Sequence, residues 1–189
     1  MIVRLWKWFW SPSSKFAWGG ILVVGVVAGV LGFGGFNAFV AYTNTQEFCV
    51  SCHQEDVFQE YRETVHYSNA SGVSVGCSDC HVPKQWTYKM IRKVEATRDL
   101  FAYFLGTIDT PEKFEEKRLE MAQRVWARMR WNGQVGCKNC HAYETMDTAE
   151  QERRARKDHP KGVEKGQTCI DCHKGIAHEL PEDYEKEEG

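Results

Sequence analysis

All eight cysteines of this chain and four of its seven histidines fall into four copies of Cys-x-x-Cys-His: Cys49, Cys52 and His53; Cys77, Cys80 and His81; Cys137, Cys140 and His141; Cys169, Cys172 and His173. Two thiols three positions apart can each add to one vinyl group of the same porphyrin, and the imidazole that follows then reaches the iron as its first axial ligand. Each motif therefore predicts one covalently attached haem c, four in all. Paired Cys-x-x-Cys knuckles also build tetrahedral zinc sites, but zinc does not require a histidine directly after every second cysteine. With 7 histidines in 189 residues, four such placements arise by chance about once in several hundred thousand sequences, which decides against zinc. No thiol is left over for a structural disulfide, so thioether bonds take the place of the staples a small exported domain usually needs.

Three histidines stand outside the motifs: His66, His159 and His178. Four irons each have a second axial position, and a neutral imidazole is a ready ligand for it. The count predicts three bis-histidine haems, with His66, His159 and His178 as distal ligands, and one haem without histidine on its far side. His178 lies five residues after His173 and would have to wrap around the ring to meet the same iron, so it is assigned to a neighbouring haem. Met90, Met121, Met129 and Met146 are candidates for the remaining position, although methionine at helical spacing is more often core filler. The first cysteines of the motifs stand 28, 60 and 32 residues apart, with His66 11 residues before Cys77 and His159 10 before Cys169. The chain thus reads as two dihaem halves, a weak internal repeat.

The elements that must carry these motifs begin with an anchor. No charged residue occurs from Phe16 to Ala41, and about 20 apolar residues suffice to cross a bilayer as a helix. The run is too long for the apolar core of a cleaved signal peptide, which is about 7–15 residues. Arg4, Lys7 and Lys15 precede the span and no Lys or Arg follows it until Arg62, so the N-terminus is expected in the cytoplasm and the remainder in the periplasm. Trp6, Trp8, Phe9, Trp10 and Trp18 on one side and Phe39 and Tyr42 on the other are placed as interfacial anchors. Gly25, Gly29, Gly32 and Gly35 form a small-residue face that would admit a second copy of the helix, a possible homodimer. Three regions follow: a cytoplasmic N-terminus (1–15), a transmembrane anchor in the inner membrane (16–42) and a periplasmic tetrahaem domain (43–189).

That domain is mainly α by its signals. Thr110 as N-cap with Pro111 in the first turn predicts a helix to about Trp131, stopped by Asn132-Gly133. A second helix is expected over about Gln85 to Leu105, with Gly106 behind it, and a third over about Thr148 to Lys157. The domain is too small and hydrophilic to build a protein core around four porphyrins, so the haems themselves must be most of the core and the haem-free chain should be largely unfolded.

Several stretches carry a specific likeness: Glu63-Thr-Val-His66-Tyr-Ser-Asn69, Cys77-Ser-Asp-Cys-His-Val-Pro83, Gly106-Thr-Ile-Asp-Thr-Pro-Glu-Lys-Phe114, Trp126-Ala-Arg-Met129 and Cys169-Ile-Asp-Cys-His-Lys-Gly-Ile-Ala-His178. With the single anchor, they resemble the NapC/NirT family of membrane-anchored tetrahaem cytochromes, to which NrfH- and CymA-type proteins are related; NapC-type members look most alike. The resemblance implies a quinol dehydrogenase that takes electrons from membrane quinol, menaquinol or ubiquinol, near the first haem. It then passes them to a periplasmic reductase in anaerobic respiration, nitrate reductase first among the acceptors.

The resemblance also implies a quinol site with a lysine and an aspartate on the helix after the second motif, which by position are Lys93 and Asp99. Quinol oxidation needs a destination for two protons, and a carboxylate is a suitable acceptor; a lysine can hold the quinol oxygen and stabilise charge developing there. Six residues put the pair about 9 Å apart along a helix and about 120° out of line. Without the resemblance, Arg92, Lys93, Glu95, Arg98 and Asp99 read equally well as a solvated charged face. NrfH-type proteins carry a methionine ligand two residues after the first motif histidine, where this chain has Glu55. His53 is then the one protein ligand assigned to the first haem, with Asp99 near its open face.

Two other functions remain open at this level: a passive conduit that never touches quinol, and a terminal reductase of a small nitrogen oxyanion, for which no pocket with defined proton donors is evident. Formal net charge is only −2, basic Lys84, Lys89, Arg92 and Arg153-Arg-Ala-Arg156 coexist with the acidic tail from Glu182, and no nucleic-acid partner is expected.

Overall fold

The computed structural model describes residues 2–9, 11, 15, 17–51 and 55–184, without the side chains of Trp8, Phe9, Glu55 and Asp56. Cys52 and His53 of the first motif, Trp10, the Glu55 side chain and the end of the acidic tail therefore lie outside the described residues. The chain divides into two compact units, Met1–Thr43 and Asn44–Gly189.

The first unit holds helix α1 (Ile2–Phe9) and helix α2 (Trp18–Tyr42). The 25 residues of α2 have a mean hydropathy of 2.1 and none is buried, so the helix is long and apolar enough to cross a membrane. At 1.5 Å per residue it spans about 37 Å, more than the ~30 Å of hydrocarbon it would meet. Thr43 closes it by donating its hydroxyl to Phe39 O at 3.0 Å and Val40 O at 3.2 Å. A Cβ at Gly25, Gly29, Gly32 or Gly35 would meet nothing within 4 Å.

The second unit contains α3 (Gln46–Val50), α4 (Glu55–Arg62), α5 (Cys77–His81), α6 (Trp86–Phe104), α7 (Pro111–Trp131), α8 (Val135–Lys138), a 3₁₀ turn (Tyr143–Thr145), α9 (Arg153–Glu164) and α10 (Cys169–Cys172). No strand occurs among the described residues, in agreement with the mainly α reading. The Thr110 hydroxyl accepts from Lys113 N at 3.4 Å and Pro111 sits in the first turn of α7; the helix stops at Asn132, followed by Gly133 at φ 68°. Helix α6 ends before Gly106, whose φ of 71° admits glycine at no steric cost.

The third expected helix is displaced. In place of Thr148 to Lys157 it runs Arg153–Glu164, because the Asp147 carboxylate accepts from Ala149 N at 3.0 Å and folds that stretch into a turn. The helix then continues through Pro160, which lacks only the bond toward Arg156, and ends before Gly166 at φ 66°.

Among the described residues of this unit few are buried: Tyr61, Pro83, Asn132, Gln134, Ile170 and Pro181. No described side chain is wholly buried. Helices α6 and α7 contact each other through Tyr88 and Trp131, edge to face at 5.3 Å, and through Arg128 and Glu95 at 2.5 Å. A polypeptide of this size with so little enclosed apolar surface lacks the burial that offsets chain entropy.

Candidate multihaem site

Motifs 2 and 4 each sit on one short helix, α5 and α10, which sets the two thiols on one side at i and i+3, while motif 3 begins on α8 and continues as a turn beyond it. In α5 the Asp79 carboxylate accepts from Gly76 N at 2.8 Å. In α10 the Asp171 carboxylate accepts from Thr168 N at 2.7 Å and Oγ1 at 2.6 Å. Arg130 on α7 donates to its other oxygen at 2.5 Å. These bonds, the Thr168 contacts foremost, hold the Asp171 carboxyl down at about 2. Gln134, with φ 59° and almost wholly buried, opens α8; its side-chain oxygen accepts from Cys169 N and its own N–H donates to Asn132 Oδ1 at 3.0 Å.

The attachment turns stand in single file. Cys49 of the first motif lies beside Cys77 of the second, side chain to side chain. Cys80 is pushed up to about 11, by burial first and then by the thiols of Cys137 and Cys140 in the third motif. Cys137 is raised by burial and by Cys169 of the fourth. Between the second and third turns the backbones touch: a Cβ on Gly136 would lie 3.0 Å from Cys80 O and 3.1 Å from Asp79 O.

The structure brings each histidine outside the motifs against one motif histidine. Ring centroids are 6.2 Å apart for His66 and His141, 6.2 Å for His178 and His81, and 5.9 Å for His159 and His173. Two imidazoles on opposite sides of one metal ion, each nitrogen about 2 Å away, place their centroids about 6 Å apart. His159 Nδ1 lies 2.6 Å from Gln151 Oε1, which leaves Nε2 as the metal-facing nitrogen and fixes the ring plane. His66 Nδ1 is buried without a hydrogen-bond partner, an orphan that a core of protein alone rarely keeps. Burial, then the imidazoles of His159 and His141, pull His173 below the usual histidine range, so its ring is neutral and has a lone pair to give. The pairs are spaced for iron, and the half-buried Cys77, Cys80 and Cys137 thiols line the same sparsely filled interior. The residues present fit haem c.

Two of these pairs cross between the sequence halves. His66 of the first half meets His141 of the second, and His178 of the second meets His81 of the first. The repeat is one of sequence; in space the halves exchange their additional histidines.

Lys93 and Asp99 both lie on α6, but the structure does not pair them. Asp99 accepts from Arg92 Nη2 at 3.2 Å, two turns away. Burial holds the Lys93 amine below its ordinary range, opposed by the Cys49 thiol beside it. Burial and the nearby Arg92 also lower Arg128, against the pull of Glu95. Next to this cluster Val94, Glu95, Arg98, Arg124, Ala127, Arg128 and Trp131 line a groove of about 470 Å³ between α6 and α7. Met90, Met121, Met129 and Met146 are all half-buried.

A sequence model described as NapC/NirT cytochrome c family, N-terminal region, matches residues 11–183. The chain belongs to the NapC/NirT cytochrome c family. It is 53% identical over 179 residues to denitrification system component NirT of Stutzerimonas stutzeri, covering 94% of this chain and 89% of that one. It is 51% identical over 191 residues to cytochrome c-type protein NapC of Escherichia coli K12, covering 100% and 95%. Cytochrome c-type protein TorC of the same organism is 42% identical, over 95% of this chain and 46% of its own length. A solved structure, cytochrome c nitrite reductase NrfHA complex bound to the HQNO inhibitor, aligns with a TM-score of 0.48 and 21% identity over 84% of this chain and 90% of that chain. As a NapC/NirT protein with one membrane-length helix, the chain is a membrane-anchored electron-transfer cytochrome carrying covalent haem c.

Sequence reasoning missed four positioning residues: Gly136, Gln134, Gln151 and Arg92. A Val-Gly-Cys before motifs 2 and 3 signals the first. The others have no local signature, since each acts on a partner far along the chain or two turns away.

Proposed function

We propose that the chain is a quinol dehydrogenase of the bacterial inner membrane, anchored by α2 with its N-terminus in the cytoplasm. In this reading it oxidises membrane quinol beside the first motif and delivers the electrons to a periplasmic reductase, with nitrate reductase the leading acceptor. The observation that carries the reading is the single file of attachment turns, three of them facing imidazole pairs spaced for one iron, on a chain with a membrane-length helix.

Cys49, Cys52, Cys77, Cys80, Cys137, Cys140, Cys169 and Cys172 would hold four haems c. His53, His81, His141 and His173 would be proximal ligands, with His178, His66 and His159 opposite His81, His141 and His173 respectively. Bound there, the haems supply one-electron redox centres in close succession. The three pairs use every additional histidine, so the first motif keeps a non-histidine far side, the place for substrate to approach.

A quinol that becomes a quinone releases two electrons and two protons. Lys93, on the Cys49 side of α6 with its amine partly desolvated, would hold the quinol oxygen and stabilise charge developing on it. Asp99, oriented by Arg92, would accept a proton. Positive charge ahead of α2 at Arg4, Lys7 and Lys15 supports the orientation.

The test uses purified holoprotein in liposomes and a quinol analogue, with haem reduction followed by absorbance. Lys93→Gln and Asp99→Asn with full haem content should slow reduction about 10²-fold, the lower range for loss of a proton-transfer group. Unchanged rates would remove the assignment. Reduction by dithionite but never by quinol would make the chain a passive conduit.

A further inference from the structure

Helix α4 and helix α7 each contribute one largely buried charge to a contact that neither the attachment motifs nor the quinol cluster uses. The side chains of Glu60 and Arg118 are 15% and 12% exposed and meet at 2.5 Å, Oε2 to Nη2. The same Glu60 oxygen accepts from the backbone N–H of Glu179 at 2.9 Å. Arg118 Nη2 donates to the backbone carbonyl of the same Glu179 at 2.9 Å. Arg118 is in turn steadied by Glu115, Nη1 to Oε1 at 2.8 Å. Both polar backbone atoms of one residue are thus gripped by one buried ion pair.

Glu179 directly follows His178, whose ring faces His81 at 6.2 Å. The segment that carries His178 has no regular structure of its own: residues 174–180 form turns, bends and irregular chain after α10. They turn at Gly175, whose φ is 77° and whose absent Cβ would lie 3.1 Å from Leu180. A loop without a hydrogen-bonding ladder places a side chain only as well as its anchors allow. Burying a carboxylate and a guanidinium is costly against an apolar pair of similar volume, so this pair is placed to fix geometry. Tyr61, next to Glu60 on α4, lies 6.4 Å from the His178 ring and bounds it on a second side.

We propose that Glu60 and Arg118 form a positioning clamp that holds His178 opposite His81, keeping the iron bound by the second motif six-coordinate and closed to small exogenous ligands. The clamp rests on the reading of His178 as the distal ligand at His81. It places Glu60 and Arg118 among the positioning residues, since neither touches the ring or a substrate.

The experiment uses the full-length holoprotein in detergent, with four haems per chain verified by mass for every variant. Carbon monoxide uptake by the reduced protein counts irons with an open position, and the high-spin signal of the oxidised protein reports the same event independently. His178→Ala should take up one further CO per chain than the unaltered protein. Glu60→Ala should do likewise, and in the oxidised protein added imidazole should abolish the extra high-spin signal of both by filling the vacated position. A gain in His178→Ala with none in Glu60→Ala overturns the clamp while leaving the ligand in place. No gain in His178→Ala overturns the ligand reading itself. Should Glu60→Ala fail to mature, Glu60→Gln and Arg118→Lys decide, since each keeps a polar group yet loses part of the fourfold contact. A fractional gain in CO uptake supports the clamp, and uptake equal to the unaltered protein overturns it.

Discussion

Gly136→Ala is the smallest change that tests whether contact between successive attachment turns matters. The added Cβ would lie 3.0 Å from Cys80 O, 3.1 Å from Asp79 O and 3.3 Å from Cys80 Cα, where ordinary contact begins at 3.4 Å. All three neighbours are backbone atoms of α5, so nothing flexible can swing aside, and the two turns must separate by about 0.4 Å. Glycine to alanine within a helix would by itself favour the folded state by up to about 1 kcal/mol. Overpacking of a rigid contact costs about 1–3 kcal/mol and reverses the sign. Net of that gain, an overpacking cost in the upper part of its range leaves a loss of about 1–2 kcal/mol, and at about 2–4 °C per kcal/mol for a chain of this length the holoprotein should melt about 2–8 °C lower, with far-UV circular dichroism as the readout. Gly162→Ala is the control: its Cβ would meet Gln167 at an ordinary 3.5 Å, and its melting point should hold or rise. Equal melting points for Gly136→Ala and the unaltered protein, at full haem content, would refute the packing of α5 against α8.

Two further outcomes follow from the same physical picture. Chain produced where haem cannot be attached should lack a cooperative melt and native amide protection, since the second unit encloses so few side chains; a folded haem-free domain would contradict this. Gln151→Ala removes the acceptor 2.6 Å from His159 Nδ1 and should weaken that axial ligation about 10–100-fold. The effect would be visible as partial high-spin character in one haem, and an unaltered spectrum would show that the ring is oriented by something else.

The chemistry was legible wherever a covalent or local rule sets residue spacing. Thioether attachment demands Cys-x-x-Cys-His, and a helix start such as Thr110-Pro111 announces α7 through its own backbone. Helix α9 was displaced because one side chain, Asp147, captured Ala149 N and delayed the helix by a turn, a competition that propensity alone does not resolve. The partners of the three additional histidines were beyond local reading. His66 and His141 are 75 residues apart, and no periodicity connects them. Counting leaves three additional imidazoles beside four motifs, while only the tertiary structure shows which motif histidine each one faces. The pairing of Asp99 with Arg92 was hidden for a related reason: an i, i+7 contact depends on how far two long side chains extend, which helix geometry permits without requiring.

The exchange of histidines between halves makes α4 more consequential than its eight residues imply. Tyr61 is 5% exposed; its hydroxyl donates toward Val75 O and His66 O, while its ring stands against His178. Desolvation by burial pushes its phenol up, so it remains a hydrogen-bond donor throughout the physiological range. One short helix therefore braces the segment before motif 2, whose His66 faces His141 of motif 3, and also the segment after motif 4, whose His178 faces His81 of motif 2. In the ligand reading proposed above, the second and third metal sites would not form independently, because each would borrow its distal side from the other half through the same support. A chain built this way has no stable dihaem fragment: cutting it between α6 and α7 would separate His66 from His141 and His178 from His81 together, leaving only the His159 and His173 pair with both its members on one piece.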